Sequence, residues 1–170
     1  MIRKLALAAT AAGLLATPAL AAEKLTVETS KGCSFTIALR ADLAPKHVAQ
    51  ISKLASAGFY DGIVFHRVIE GFMAQTGDPT GTGMGGSQEP DLAAEFTPEP
   101  FSRGTVGMAR SSDPNSGNSQ FFVMLAQGDF LNGQYTVWGK VDEAGMACVD
   151  QIARGEPPAN PDKMTKVTVQ

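Results

Sequence analysis

Lys24-Leu25-Thr26-Val27-Glu28-Thr29-Ser30-Lys31-Gly32-Cys33-Ser34-Phe35-Thr36-Ile37-Ala38-Leu39 decides how the chain folds. Leu25 and Val27 alternate with polar neighbours, and so do Cys33, Phe35, Ile37 and Leu39. A period of two places each set on one face of a strand. Ser30-Lys31-Gly32 between the two runs is a turn, so the stretch predicts a hairpin over Lys24–Thr29 and Cys33–Leu39. At the far end of the chain, Thr165–Val169 carries the same alternation, and pairing it with the first strand would close the sheet and remove an exposed edge.

Working outward from the hairpin, Asp42-Leu43-Ala44-Pro45 opens a helix. Proline suits a first helical turn, and Val48, Ile51, Leu54 and Ala55 recur at helical spacing until Gly58. Short strands are expected at Ile63–Ile69, Phe72–Thr76, Thr105–Ala109, Phe121–Met124 and Val137–Val141, with a second helix over Gly145–Ala153. Many short strands and two isolated helices predict an antiparallel barrel or sandwich in one domain. No internal repeat or interdomain linker interrupts the 170 residues. The segment from Asp78 to Arg103, rich in Gly and Pro, is too long for a plain connector, and loops of that length usually carry function.

Residues 1–21 are expected to stand apart from this domain. Arg3 and Lys4, the apolar run from Leu5 to Leu15, and Ala19-Leu20-Ala21 have the layout of a cleavable export signal, leaving a domain over 22–170. The apolar run is short for a membrane span and ends at Pro18, so no stable membrane insertion is expected after cleavage. The chain has 17 acidic and 14 basic residues. Losing Arg3 and Lys4 widens the acidic excess, which argues against a nucleic-acid partner. Cys33 and Cys148 both face inward by strand and helix parity. In an oxidising compartment they are either a bridge closing a long loop or two buried thiols, and sequence does not supply the Cα separation that decides.

The second informative stretch is Phe65-His66-Arg67-Val68-Ile69-Glu70-Gly71-Phe72-Met73-Ala74-Gln75-Thr76-Gly77-Asp78. It sets Arg67 among apolar side chains, with Gln75 eight residues on and only Glu70 nearby to neutralise it. A guanidinium presents five donors in a fixed fork. Ser119-Gln120-Phe121-Phe122-Val123-Met124 offers a second apolar and amide cluster. His66 falls on the opposite strand face and reads as a satisfied core histidine, whereas His47, beside Lys46 in the first helix, reads as solvated. Two distant histidines and two distant cysteines give no metal-ligand spacing. No G-x-S-x-G is present, and Gly81-Thr82-Gly83-Met84-Gly85-Gly86 lacks the Lys-Ser/Thr and the strand-to-helix context of a phosphate loop. No cofactor is expected.

An arginine, amides and an apolar pocket suit one reaction that needs no acid, base, metal or nucleophile: rotation about an X–Pro peptide bond. Its barrier, about 18–20 kcal/mol, comes from amide resonance. A guanidinium donating to the prolyl nitrogen lone pair favours the twisted amide over the planar one.

At these residues the chain resembles the cyclophilin family of peptidyl-prolyl cis–trans isomerases, from about Leu25 to Val169. The FHRVIEGFMAQTGD and NSQFFVML blocks occur in the family's order and at its separation. The resemblance implies a closed, eight-stranded antiparallel barrel capped by two helices. It makes Arg67 the catalytic residue, and it makes Phe72, Met73, Phe122 and Leu131 the wall of a proline pocket. Gln75 and Gln120 become groove amides, and Arg110 lies where backbone groups hold the substrate chain. Phe130 stands where cyclosporin-sensitive members have tryptophan, and Tyr135 where many have histidine. Both residues look like bacterial members, and with the export signal they suggest a periplasmic monomer acting on proline-containing, unfolded or flexible polypeptides. Two other readings stay open: a chaperone or scaffold that holds proline segments with incidental isomerisation, and a barrel enclosing a small ligand. The latter conflicts with core residues such as Phe35, Ile37 and Leu39 filling the interior.

Overall fold

The computed structural model describes residues 23–170, so the expected export segment over 1–21 lies outside the described residues. The opening hairpin forms as its alternation requires. Strands β1 (Lys24–Thr29) and β2 (Ser34–Leu39) pair antiparallel, with Leu25 opposite Ile37 and Val27 opposite Phe35, and all four side chains are buried. Helix α1 (Pro45–Ser56) follows, then β3 (Arg67–Ile69), β4 (Met73–Thr76), β5 (Thr105–Met108) and β6 (Phe121–Met124). A 3-10 turn, Asp129–Leu131, precedes β7 (Val137–Val141), α2 (Glu143–Val149) and β8 (Met164–Val169). The 3-10 turn has no counterpart in the sequence expectations. Helix α2 begins earlier than expected because the Asp142 side chain accepts the Gly145 N–H at 2.8 Å, a cap that starts the helix at Glu143.

The eight strands form one antiparallel sheet in the order β3-β4-β6-β5-β7-β2-β1-β8. The expected pairing of last strand with first is present: Val27 lies opposite Val167 and Leu25 opposite Val169. The expected closure is not. β3 and β8 are the ends of the order, and the sheet is an open half-barrel. The expected strand Ile63–Ile69 is the reason. Only Arg67–Ile69 joins the ladder, while the residues before it meet the chain ahead of β8 through an isolated bridge, Val64 to Lys163, and a Phe65 N–H bond to the Asp162 carbonyl at 2.8 Å.

Both sheet faces are apolar where the middle strands cross. Val68, Ala74, Val106 and Val123 point into the main core, together with Phe35, Ile51, Phe121 and Trp138. The intervening residues Met73, Phe122, Met124 and Val137 point the other way and pack with Phe101 and Leu131 into a second cluster. This is why β6 is buried at every position, a continuous apolar run where β1 and β2 alternate. Helix α1 buries Val48, Ile51, Leu54 and Ala55, the stripe read from its periodicity. Cys33 and Cys148 form a disulfide, with Cα atoms 5.8 Å apart, that ties the end of the first hairpin turn to α2.

Candidate active site

The second cluster carries the site, and strand register assembles it. Arg67 lies opposite Gln75, Gln75 opposite Phe122, and Phe122 opposite Gly107. These four residues form one row across β3, β4, β6 and β5, and a row shares a face. Gly107 is a fixed requirement of that row: a Cβ there would fall 2.5 Å from the Phe122 ring and 2.6 Å from the Phe101 ring. Its absence lets the two rings stack at a centroid distance of 5.7 Å.

A pocket of about 140 Å³ opens at this row. Its walls are Phe72, Met73, Phe122, Leu131 and Tyr135, with Arg67, Gln75, Ala109 and Arg110 around them. The volume is of the order that accepts a benzene-sized ring. Arg67 is half-exposed, and its Nε donates to a carboxylate oxygen of Glu156 at 2.7 Å. That partner differs from the expected one. Glu70 instead accepts from Nε of Arg154 at 2.6 Å.

Polar order continues beside the pocket. Gln75 Nε2 donates to Gln120 Oε1 at 2.9 Å, and Gln120 Nε2 donates to the carbonyls of Gly83 and Gly85 at 3.1 and 2.8 Å. Asp78 holds those glycines in place. It is fully buried and accepts from the Thr80 N–H and hydroxyl, both at 2.8 Å, and from the Gly83 N–H at 2.6 Å. Burial works to raise its pKa, but the hydrogen bonds from Thr80 and the loop N–H groups outweigh it and hold the carboxyl at about 2. The Gly-rich loop is thus folded around an internal anion. Gln120 lines a separate, larger cavity of about 470 Å³ next to the first, shared with Gln75, Ala109 and Arg110.

Arg110 lines both cavities. Its Nε donates to the Gln134 carbonyl at 3.0 Å, and its guanidinium lies 4.5 Å from the centroid of the Tyr135 ring. Among the described residues neither backbone group of Arg110 has a hydrogen-bond partner within the chain. Phe130 stands outside the residues that line the pocket. It sits on the 3-10 turn, 70% exposed, with its ring 5.5 Å from that of Phe72, and it forms a rim above the pocket. Ala109 and Glu156 belong to the neighbourhood and were not legible. Ala109 has no chemistry to flag it, and Glu156 is 89 residues from Arg67 in sequence.

The histidines correct two expectations. His66 is buried as expected, but among the described residues neither ring nitrogen has a hydrogen-bond partner. Burial lowers its pKa below the ordinary histidine range, with Asp78 opposing and Arg67 adding to the drop. His47 is not solvated: it is 1% exposed, and its Nδ1 lies 2.6 Å from Glu95. Among the described residues no group of three or more His, Cys, Asp or Glu side chains is arranged to hold a metal.

Residues 24–169 match the family described as cyclophilin type peptidyl-prolyl cis-trans isomerase/CLD. A probable peptidyl-prolyl cis-trans isomerase of Brucella suis is 57% identical over 148 residues, covering 78% of this chain and 75% of its own. A peptidyl-prolyl cis-trans isomerase-like 1 protein of Emericella nidulans is 39% identical over 137 residues, covering 77% of this chain and 82% of its own. Among solved structures, a cyclophilin from Hirschia baltica superposes with a TM-score of 0.78 at 31% identity, over 86% of this chain and 73% of that one. A cyclophilin type isomerase of Cryptosporidium parvum, solved in the presence of the dipeptide Ala-Pro, superposes with a TM-score of 0.79 at 28% identity. That match covers 86% of this chain and 98% of the other.

Proposed function

The chain belongs to the cyclophilin family and is a peptidyl-prolyl cis–trans isomerase, and from that premise we propose that Arg67 is its catalytic residue. The observation that carries the assignment is the row Arg67–Gln75–Phe122, which puts a guanidinium on the rim of an apolar, ring-sized pocket. A proline ring entering between Phe72, Met73, Phe122 and Leu131 brings its nitrogen toward Arg67. In the planar amide that nitrogen's lone pair is delocalised and accepts poorly. As the bond twists, the lone pair localises and the guanidinium donates to it. The contact is therefore stronger in the transition state than in either ground state, which is what accelerates the step. The apolar wall holds the ring still while the preceding carbonyl swings.

Phe72, Met73, Phe122, Leu131 and Tyr135 bind the ring in this reading, and Phe130 covers it from the rim. Gln75, kept in place by Gln120, meets the substrate backbone. The unpaired backbone groups of Arg110 receive the neighbouring peptide in the manner of an added strand. Substrates are proline-containing, flexible polypeptides, a class supported by the Cryptosporidium cyclophilin solved in the presence of the dipeptide Ala-Pro. The disulfide and the signal-like layout of residues 1–21 support export, with the domain over 22–170 acting as a monomer on other exported proteins in the periplasm.

A protease-coupled assay on an Ala-Pro peptide tests the assignment. Arg67→Ala should lower kcat/KM roughly a hundredfold, the usual effect of removing one preorganised transition-state donor. Equal rates for the two proteins would leave a proline-binding module without a catalytic arginine.

A further inference from the structure

Arg67 has a neighbour on each side. Gln75 is its partner on β4, and on the free edge of β3 the segment Arg154–Glu156 runs antiparallel. Val68 and Gly155 exchange both backbone bonds there, each 2.8 Å long. A bridge between 68 and 155 sets 67 opposite 156, so the register delivers the Glu156 side chain to the face that Arg67 uses. The segment is also fixed on its own account. Gly155 has φ +150°, and a Cβ there would fall 2.4 Å from the Pro158 Cα, so the chain folds back tightly after Glu156. The Arg154–Glu70 pair clips it to the β3–β4 turn.

We propose that Glu156 is a positioning residue for the isomerisation, holding the Arg67 guanidinium by its Nε so that the outer nitrogens face the pocket. The proposal rests on Arg67 being the catalytic group. The bond from Nε to Oε1 is 2.7 Å and charge-assisted, and it takes the innermost of the five donors. Among the described residues the Nη groups donate to no other side chain or carbonyl, which leaves them for the prolyl nitrogen. Arginine is one of the most rotamer-rich side chains, and a half-exposed one would sample many conformers. Anchoring Nε settles those conformers before substrate arrives, so the ordering cost is not met in the transition state. The carboxylate also dampens the positive field of the guanidinium, which works against catalysis. Both groups are partly exposed, so water weakens that effect, whereas the fixed geometry of the bond does not depend on screening. For the same reason the pair contributes little to stability, and variants lacking it should fold.

The test uses wild type, Glu156→Ala, Glu156→Gln, Arg67→Ala and the double variant Arg67→Ala/Glu156→Ala. Thermal melts accompany all five to show that they are folded. Peptide affinity comes from titration, and the turnover of bound Ala-Pro peptide comes from exchange NMR at saturation. Glu156→Ala should lower turnover about three- to tenfold with affinity changed less than twofold, the signature of a lost orientation effect. Glu156→Gln offers an oxygen acceptor to the same Nε–H and should restore turnover to within about twofold of wild type. In the Arg67→Ala background, removing Glu156 should have no further effect. Four results would overturn the proposal: Glu156→Ala turning over as fast as wild type or faster, a loss confined to affinity, no recovery in Glu156→Gln, or an equal loss in the Arg67→Ala background. If Arg67→Ala itself runs at the wild-type rate, the assignment of Arg67 fails, and that result is read separately from the Glu156 variants.

Discussion

Phe130 and Phe72 touch at the mouth of the pocket, and Phe130 shows solvent most of its ring. A phenyl group there supplies apolar cover and no donor, whereas the tryptophan of cyclosporin-sensitive cyclophilins adds an indole N–H. The rim should therefore matter less to a small proline peptide in the pocket than to a large ligand lying across it. Wild type should bind cyclosporin weakly, and Phe130→Trp should tighten that binding roughly tenfold, the value of one added hydrogen bond with its larger apolar contact. Rates on Ala-Pro peptides should stay within about twofold of wild type. Calorimetry showing nanomolar affinity in wild type would contradict this. At this scale the sequence is a good guide to the pocket, because Arg67 on β3, Phe72 just ahead of β4, Met73 and Gln75 on β4 and Phe122 on β6 all fall within two short blocks, Phe65–Asp78 and Ser119–Met124, whose mix of apolar, amide and guanidinium side chains can be read directly. Leu131 and Tyr135 came through family resemblance. Glu156 was hidden because a single backbone bridge far along the chain sets its place, and no local period marks it.

Helix α1 shows how an element can depend on a distant segment. Its N-cap residue is Ala44, which has no side-chain acceptor. Glu95, in the long loop between β4 and β5, supplies one: its carboxylate accepts the Lys46 N–H at 3.2 Å and the His47 N–H at 3.1 Å, and it meets His47 Nδ1. The Glu95 N–H in turn donates to the Thr136 hydroxyl, beside Tyr135 of the pocket. Local reading of His47 beside Lys46 implied a wet helix face because the acid that buries it is 48 residues away. The same holds for Asp78–Arg103, where sequence marked a long functional loop but not the side chains that pin it. Glu95→Ala should cost about 1–3 kcal/mol in urea denaturation, from a lost cap and an unpartnered buried imidazole. Acid should act in the same direction. Burial lowers the His47 pKa from its ordinary 6.5 more than Glu95 raises it, so the unfolded chain takes up that proton first and stability begins to fall below about pH 6.5. For Glu95, hydrogen bonds from His47 and the helix N–H groups outweigh burial and lower its pKa from 4.5. Its contribution is complete above pH 4.5 and is lost as pH falls through the folded value. A denaturation series in which stability rises on acidification would overturn this account.

Across the whole molecule, the sheet has a half that carries the pocket and a stapled half. The site draws on β3, β4, β6 and β5, consecutive at one end of the strand order, while β2, β1 and β8 occupy the other. The Cys33–Cys148 bridge belongs to the second half and joins the β1–β2 hairpin to α2 across 115 residues. Sequence parity put both cysteines inside but left their pairing open, since pairing depends on a Cα separation that only tertiary packing sets. The open edge between β3 and β8 is hidden from sequence for a related reason. The run Ile63–Ile69, rich in β-branched and aromatic residues, resembles a strand, yet its first half bonds to the loop around Asp162, whose carboxylate is itself fixed by the Ser30 hydroxyl and the Ala153 N–H. The two halves should respond separately to reduction. Closing a loop of that length restricts the unfolded chain, and removing such a bridge typically costs about 2–4 kcal/mol. For a domain of this size that lowers the melting temperature by roughly 10 °C. Cys33→Ser/Cys148→Ser, or wild type in excess dithiothreitol, should show that drop in calorimetry while turnover on an Ala-Pro peptide at 10–15 °C, well below either melt, stays within about twofold of the oxidised protein. Loss of turnover in a variant still fully folded at the assay temperature would mean that the staple reaches the row Arg67–Gln75–Phe122, and identical melts would mean that it constrains nothing in the unfolded state.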